Sequence, residues 1–101
     1  VALDIRTNSP TYGQHAAVRL SAETHHQLFI PIGFAHGFLV TSETAIVQYK
    51  TDNYYEAAVD GGIHPHDPDL NILWALPKEE HILSSKDMLL PLLSSSKSFT
   101  E

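Results

Sequence analysis

Apolar and polar residues alternate from the first position of the chain. Val1-Ala2-Leu3-Asp4-Ile5-Arg6 has the two-residue period of a β-strand with one buried face. A strand already under way at residue 1 reads as a chain cut within a strand, or as one whose open edge a neighbour covers, because unpaired edge groups need a partner. Residues 7–13 gather Asn, Ser, Pro and Gly and predict a turn, followed by a second strand over 15–20 that forms a hairpin-like pair with the first. Residues 21–24 connect to a third apolar run at 25–30. Pro31 and Gly33 mark a tight turn, and residues 37–40 begin another strand. Strands are also expected over 45–51, with Tyr49 on the face of Ala45 and Val47, and over 70–74, with Trp74 as a core plug. Residues 52–55 read as a polar turn carrying two aromatics, and 61–69 as loop. Ser84-Ser85-Lys86-Asp87 ahead of Met88-Leu89-Leu90 has the spacing of a capping box, in which Ser84 caps a short helix and Asp87 returns to its backbone, with Pro91 ending the helix. The Ser-rich stretch 94–101 reads as a frayed polar tail. Short strands with turn signals every eight to twelve residues or so predict an all-β sandwich or barrel with one short C-terminal helix.

Composition narrows the partners. With 101 residues, 43% of them hydrophobic, the chain is one small domain or part of one. A net charge of -6 with only 6 Lys and Arg argues against nucleic acid or an anionic membrane, both of which need a basic face, while leaving room for a small anionic ligand held by local cations. The absence of cysteine removes disulfides and thiolate nucleophiles and suits a cytoplasmic setting. No apolar run approaches the length of a spanning helix and no signal-peptide pattern precedes the domain, so the chain reads as soluble.

The candidate chemistry centres on His36, set between Ala35 and Gly37 where a strand leaves a turn. Small neighbours keep the imidazole uncrowded and open to a ligand; the plainer reading is a hydrogen-bonded histidine inside a barrel. Adjacent His25 and His26 point to opposite faces of a regular strand and cannot easily share a metal. His64, His66 and Asp67 superficially resemble a metal set, but Pro65 and Pro68 fix the path without aiming these groups at one point, so a solvated turn is expected.

Several segments, in order and spacing, resemble the dTDP-4-dehydrorhamnose 3,5-epimerases. They are residues 1–6 with Ser9-Pro10-Thr11-Tyr12-Gly13-Gln14, Leu20-Ser21-Ala22-Glu23, Ile30-Pro31 with Gly33-Phe34-Ala35-His36-Gly37-Phe38, Ser42-Glu43-Thr44-Ala45, Tyr49-Lys50 with Tyr54-Tyr55, and Ser84 with Lys86-Asp87. The resemblance implies a cupin-like jelly roll, all-β, of which residues 1–93 are the C-terminal part of a single domain lacking its N-terminal strands. It implies His36 and Lys86 in the substrate pocket, Tyr55 beside the nucleotide, Tyr49 as the acid that returns a proton, and Asp87 as the carboxylate that orients a catalytic imidazole. It further implies a dTDP-4-keto-6-deoxy sugar as substrate, a homodimer, and no cofactor or metal. The family's base stands in an Arg-Gly-x-His segment upstream of the strand that residues 1–6 resemble, with a lysine and an arginine that meet the ketone oxygen and the phosphates; no residue here matches them. His25 and His26 replace basic residues, Phe29 replaces a tryptophan, and Pro65 stands where another tryptophan is common.

The chemistry suits these residue types. Inverting a carbon beside a ketone takes a base on one face, an acid on the other and a stabiliser for the enolate oxygen. A phenol stays protonated at neutral pH and can deliver a proton, while a carboxylate bonded to an imidazole fixes its tautomer and strengthens it as a base. The competing readings are a non-catalytic cupin fragment serving sugar-nucleotide binding or dimerisation, and a metal cupin using His36, His64 and His66; the lack of a His-x-His with a downstream Glu in strand context speaks against the latter.

Overall fold

In the computed structural model, which describes residues 1–50 and 61–95, the alternation at the start of the chain becomes the middle strand of a small antiparallel sheet. β1 (Ala2–Asp4) lies between β2 (His15–Ala16) and β3 (Phe34–His36), pairing Ala2 with Ala16 and Leu3 with His15 on one side, and Ala2 with His36, Leu3 with Ala35 and Asp4 with Phe34 on the other. The expected hairpin between the first two strands therefore forms. Backbone bonds extend the ladders past the strand ends, from Asp4 N–H to Gln14 O (2.9 Å), Gly13 N–H to Asp4 O (2.8 Å), Ile5 N–H to Gly33 O (3.1 Å) and Gly37 N–H to Val1 O (3.0 Å). Gly33, with φ of 87°, supplies the left-handed residue that lets the chain turn tightly into β3, a conformation a side chain would strain.

Helix is sparse. A 3-10 turn over Lys78–Glu80 precedes α1 (Ser85–Met88), and a second 3-10 turn spans Leu93–Ser95. Ser84 caps α1 as its sequence predicts: its hydroxyl accepts the Asp87 backbone N–H at 3.1 Å. Among the described residues two apolar side chains are buried, Leu3 and Leu70, each beside a buried aspartate, Asp4 and Asp67. Asp67 knits the second of these centres, its carboxylate accepting from the N–H groups of Asp69 (2.9 Å) and Leu93 (2.8 Å). Among the described residues, no helix is long and apolar enough to cross a membrane.

The architecture is mostly β, but with fewer and shorter strands than the sequence predicts. His36 lies inside β3, not just beyond the turn, and the runs at 25–30, 37–40, 45–50 and 70–74 form no regular strand. The reason is pairing: alternation equips a segment for one sheet face, but a strand persists only as far as a neighbour answers its N–H and C=O groups. Within the described residues β1 alone is answered on both sides. Ile46 is accordingly 99% exposed. Residue 51 of the expected strand, the aromatic turn at 52–55 and most of the polar tail lie outside the described residues.

Candidate functional site

The paired residues of an antiparallel ladder share a face, so His36 and Phe34 stand on the same side of the sheet as Ala2 and Asp4. Beneath that row lies a closed polar cluster. Asp4, only 1% exposed, accepts from Arg6 Nε (2.9 Å), from a terminal guanidinium nitrogen of Arg6 (3.0 Å), from the Arg6 backbone N–H (3.0 Å), from the Ser9 hydroxyl (2.6 Å) and from the Thr11 hydroxyl. The Arg6 guanidinium, then the Ser9 and Thr11 hydroxyls and the Arg6 N–H, hold the Asp4 carboxyl well below the usual carboxylate range against burial, which pushes the other way. The same guanidinium lies 4.9 Å from the Phe34 ring centroid. This cluster ties β1 to the turn that follows it and, through the Arg6–Phe34 contact, reaches β3, the strand that carries His36. The sequence carried its signal in Asp4-x-Arg6 followed by Ser9 and Thr11, short oxygen-bearing side chains in a turn, which the strand reading passed over.

His36 meets Tyr49 edge to face, with ring centroids 5.9 Å apart and planes at 73°. Both residues are exposed, Tyr49 by 65%, so an imidazole and a phenolic hydroxyl face a ligand-accessible surface together. Tyr49 reaches this position from an irregular segment and not from the expected strand. Lys86 and Asp87 stand on α1, also exposed, and α1 packs against none of the three strands among the described residues. The structure thus brings His36 and Tyr49 together, and carries Lys86 and Asp87 on an element separate from the sheet. Tyr55 lies outside the described residues.

The loop at 64–68 differs from the solvated turn its prolines suggest. His66 Nε2 lies 2.7 Å from His81 Nδ1, His81 Nε2 lies 2.8 Å from Leu76 O, the His66 N–H donates to His64 Nδ1 at 3.1 Å, and the Trp74 indole N–H donates to Pro65 O at 3.0 Å. Pro65, His66, Trp74, Leu76 and His81 line a shallow cleft of about 380 Å³ together with Lys78. Burial, followed by the proximity of His81, Lys78 and His64, lowers the pKa of His66. Trp74 is half-buried here, a wall of the cleft and not the plug of a barrel. Among the described residues no group of three or more His, Cys, Asp or Glu converges as a metal site, and His36 lies in the sheet, apart from the hydrogen-bonded chain of His64, His66 and His81.

The family model for dTDP-4-dehydrorhamnose 3,5-epimerase matches residues 1–95. This chain belongs to that family. Similar proteins named dTDP-4-dehydrorhamnose 3,5-epimerase occur in Methanothermobacter thermautotrophicus, 49% identical over 88 residues (86% of this chain, 48% of the relative), and in Shigella flexneri, 49% identical over 88 residues (87% and 48%). The Salmonella typhimurium epimerase is 48% identical over 93 residues (92% and 50%). The chain spans about half the length of these curated relatives. The epimerase resemblance read from the motifs is thereby established at the level of family, by matches that cover 86–92% of the chain.

Proposed function

We propose that this chain is the C-terminal part of a dTDP-4-dehydrorhamnose 3,5-epimerase, an isomerase that inverts C3 and C5 of dTDP-4-keto-6-deoxyglucose on the route to dTDP-L-rhamnose. The observation that carries the reading is the meeting of His36 and Tyr49 at 5.9 Å on an open face, within a chain whose family is shown by the match over residues 1–95. Residues 1–93 belong to a single cupin-like jelly roll, with 94–101 as a polar tail, in a cytoplasmic homodimer.

In this mechanism a base takes the proton from the carbon beside the C4 ketone, the electron pair moves into the enolate, and Tyr49 returns a proton to the opposite face. The phenol is suited to that return because it stays protonated at neutral pH. His36, edge-on to Tyr49, holds the sugar against the phenol, Lys86 contributes to the substrate pocket, and Tyr55 lies beside the nucleotide. Asp87 orients the imidazole of the base, which belongs to the upstream segment of the family. Because the ketone acidifies both neighbouring carbons, one acid–base pair serves both inversions once the ring readjusts, and no electron leaves the substrate, so no cofactor is called for.

The test is proton NMR of dTDP-4-keto-6-deoxyglucose incubated with the complete protein and, in parallel, with residues 1–101 alone. The complete protein is expected to give the 3,5-inverted product and the isolated chain none, since loss of the base and the enolate's cation costs at least as much as one oxyanion contact, roughly 10²–10³-fold. Equal rates in the two samples would move the base onto this chain and make His36 the candidate for it.

A further inference from the structure

α1 buries no residue of its own and packs against no strand among the described residues, so something else must set the position of Lys86 and Asp87. The loop at 62–67 is joined to the chain on both sides of α1. Upstream of the helix, His66 Nε2 is 2.7 Å from His81 Nδ1. Downstream, the His64 N–H donates to Pro91 O at 2.8 Å and the Leu93 N–H donates to the Asp67 carboxylate at 2.8 Å. Gly62 lies so close to Leu90 that a Cβ there would meet its Cδ2 at 2.9 Å. We propose that residues 62–67 are a positioning clamp for α1, and that its upstream arm, the His66–His81 hydrogen bond, releases when both imidazoles are protonated.

The tautomers follow from the partners. Leu76 O can only accept, so His81 Nε2 carries a hydrogen and donates to it; in the neutral ring this leaves His81 Nδ1 as an acceptor, and the hydrogen in the 2.7 Å contact comes from His66 Nε2. A first proton leaves the contact bonded, either on His66 Nδ1 with Nε2–H still donating or on His81 Nδ1 once His66 changes tautomer; a second proton, which charges both rings, leaves two N–H groups facing each other. The surroundings favour the neutral pair. Lys78 and the His64 ring, with centroids 5.5 Å from His66, add positive potential once charged; the Trp74 ring lies edge-on to His81 with centroids 6.3 Å apart; and the Asp67 carboxylate is already engaged by the Asp69 and Leu93 N–H groups. The downstream arm contains no titrating donor, so acid loosens one side of the clamp and leaves the other joined.

The experiment is a pH titration of the ¹⁵N-labelled complete protein by NMR from about pH 7.5 to about pH 4.5, which covers the charging of an ordinary imidazole and the lower range into which His66 is shifted. His66 is expected to show a neutral ring with hydrogen on Nε2 and to titrate below the ordinary imidazole value of about 6.5. The Asp87 and Met88 amide resonances are expected to move with the second protonation step of the His66–His81 pair, and to stay still over the same span in His66→Asn and in His81→Gln. A His66 that titrates at the ordinary imidazole value, α1 amides indifferent to the second protonation of the pair, or α1 amides that move equally in both variants would each overturn the clamp. The clamp bears on turnover only through the role given to Asp87 above; these resonances decide it independently, and the epimerisation assay decides that role.

Discussion

Asp4 and His66 each bind one part of the molecule together through side-chain hydrogen bonds, yet by opposite electrostatic means. Asp4 is charged and saturated: a guanidinium and two hydroxyls surround it, and the whole cluster stabilises the ionised form. His66 is stabilised in the neutral form, bonded to a second imidazole, with Lys78 and His64 opposing any added charge. The two places holding the candidate site's residues therefore answer protons differently. The sheet under His36 is built on a charge that survives into acid, whereas the clamp around α1 depends on at least one imidazole staying neutral.

The largest effect expected concerns the sheet side. Tyr49→Phe in the complete protein keeps the ring that meets His36 and removes only the proton donor, so kcat should fall about 10²–10⁴-fold with little change in KM. Wild-type turnover would remove Tyr49 from the acid role. Next, Leu3→Ala empties the one buried apolar position of β1 and is expected to lower stability by about 2–5 kcal/mol in chemical denaturation. A loss below about 0.5 kcal/mol, typical of surface positions, would show that the sheet does not rest on this residue.

Acid separates the two regions directly. A lowered His66 pKa means that the unfolded chain takes up the proton first, so its stabilising contribution is full above the ordinary histidine value of about 6.5 and is lost as pH falls below it. The depressed Asp4 pKa acts in the same sense lower down, full above the ordinary carboxylate value of about 3.9 and lost below it. Amide hydrogen exchange followed with pH should therefore show protection failing first around residues 64–67 and 85–88 and only later in β1 and β3. Simultaneous loss would erase the distinction. The smallest effect belongs to Ser84→Ala, which removes the cap on the Asp87 N–H and should cost about 0.5–1 kcal/mol, read as local fraying of α1 with the sheet unchanged.

What the sequence disclosed tracks how local each feature is. The Ser84 cap and the turn at Gly33 depend on residues within a few positions of each other, and both are present as read. The pairing of the first two strands was also legible, since one compact turn joins them. The runs at 25–30 and 45–50 show the limit: alternation states which face a strand would bury but says nothing of whether a neighbour is there to pair with it. His66 and His81 are fifteen residues apart, and no period links them; only the fold of the intervening chain past Trp74 and Leu76 brings the rings to 2.7 Å. The approach of Tyr49 to His36 is of the same kind: small neighbours single out His36 and periodicity places Tyr49 on a strand face, but only the family resemblance joins the two in one site.

The most direct test of Tyr49 as the proton donor follows solvent deuterium at C3 and C5 of dTDP-4-keto-6-deoxyglucose with the complete protein and its Tyr49→Phe variant. The wild type should incorporate deuterium at both carbons and release the inverted product, while the variant, with its base intact, should still exchange but yield inverted product at least about 100-fold more slowly, the lower bound for a lost general acid. Inverted product forming at the wild-type rate in the variant, or no exchange at either carbon with the wild type, would contradict it.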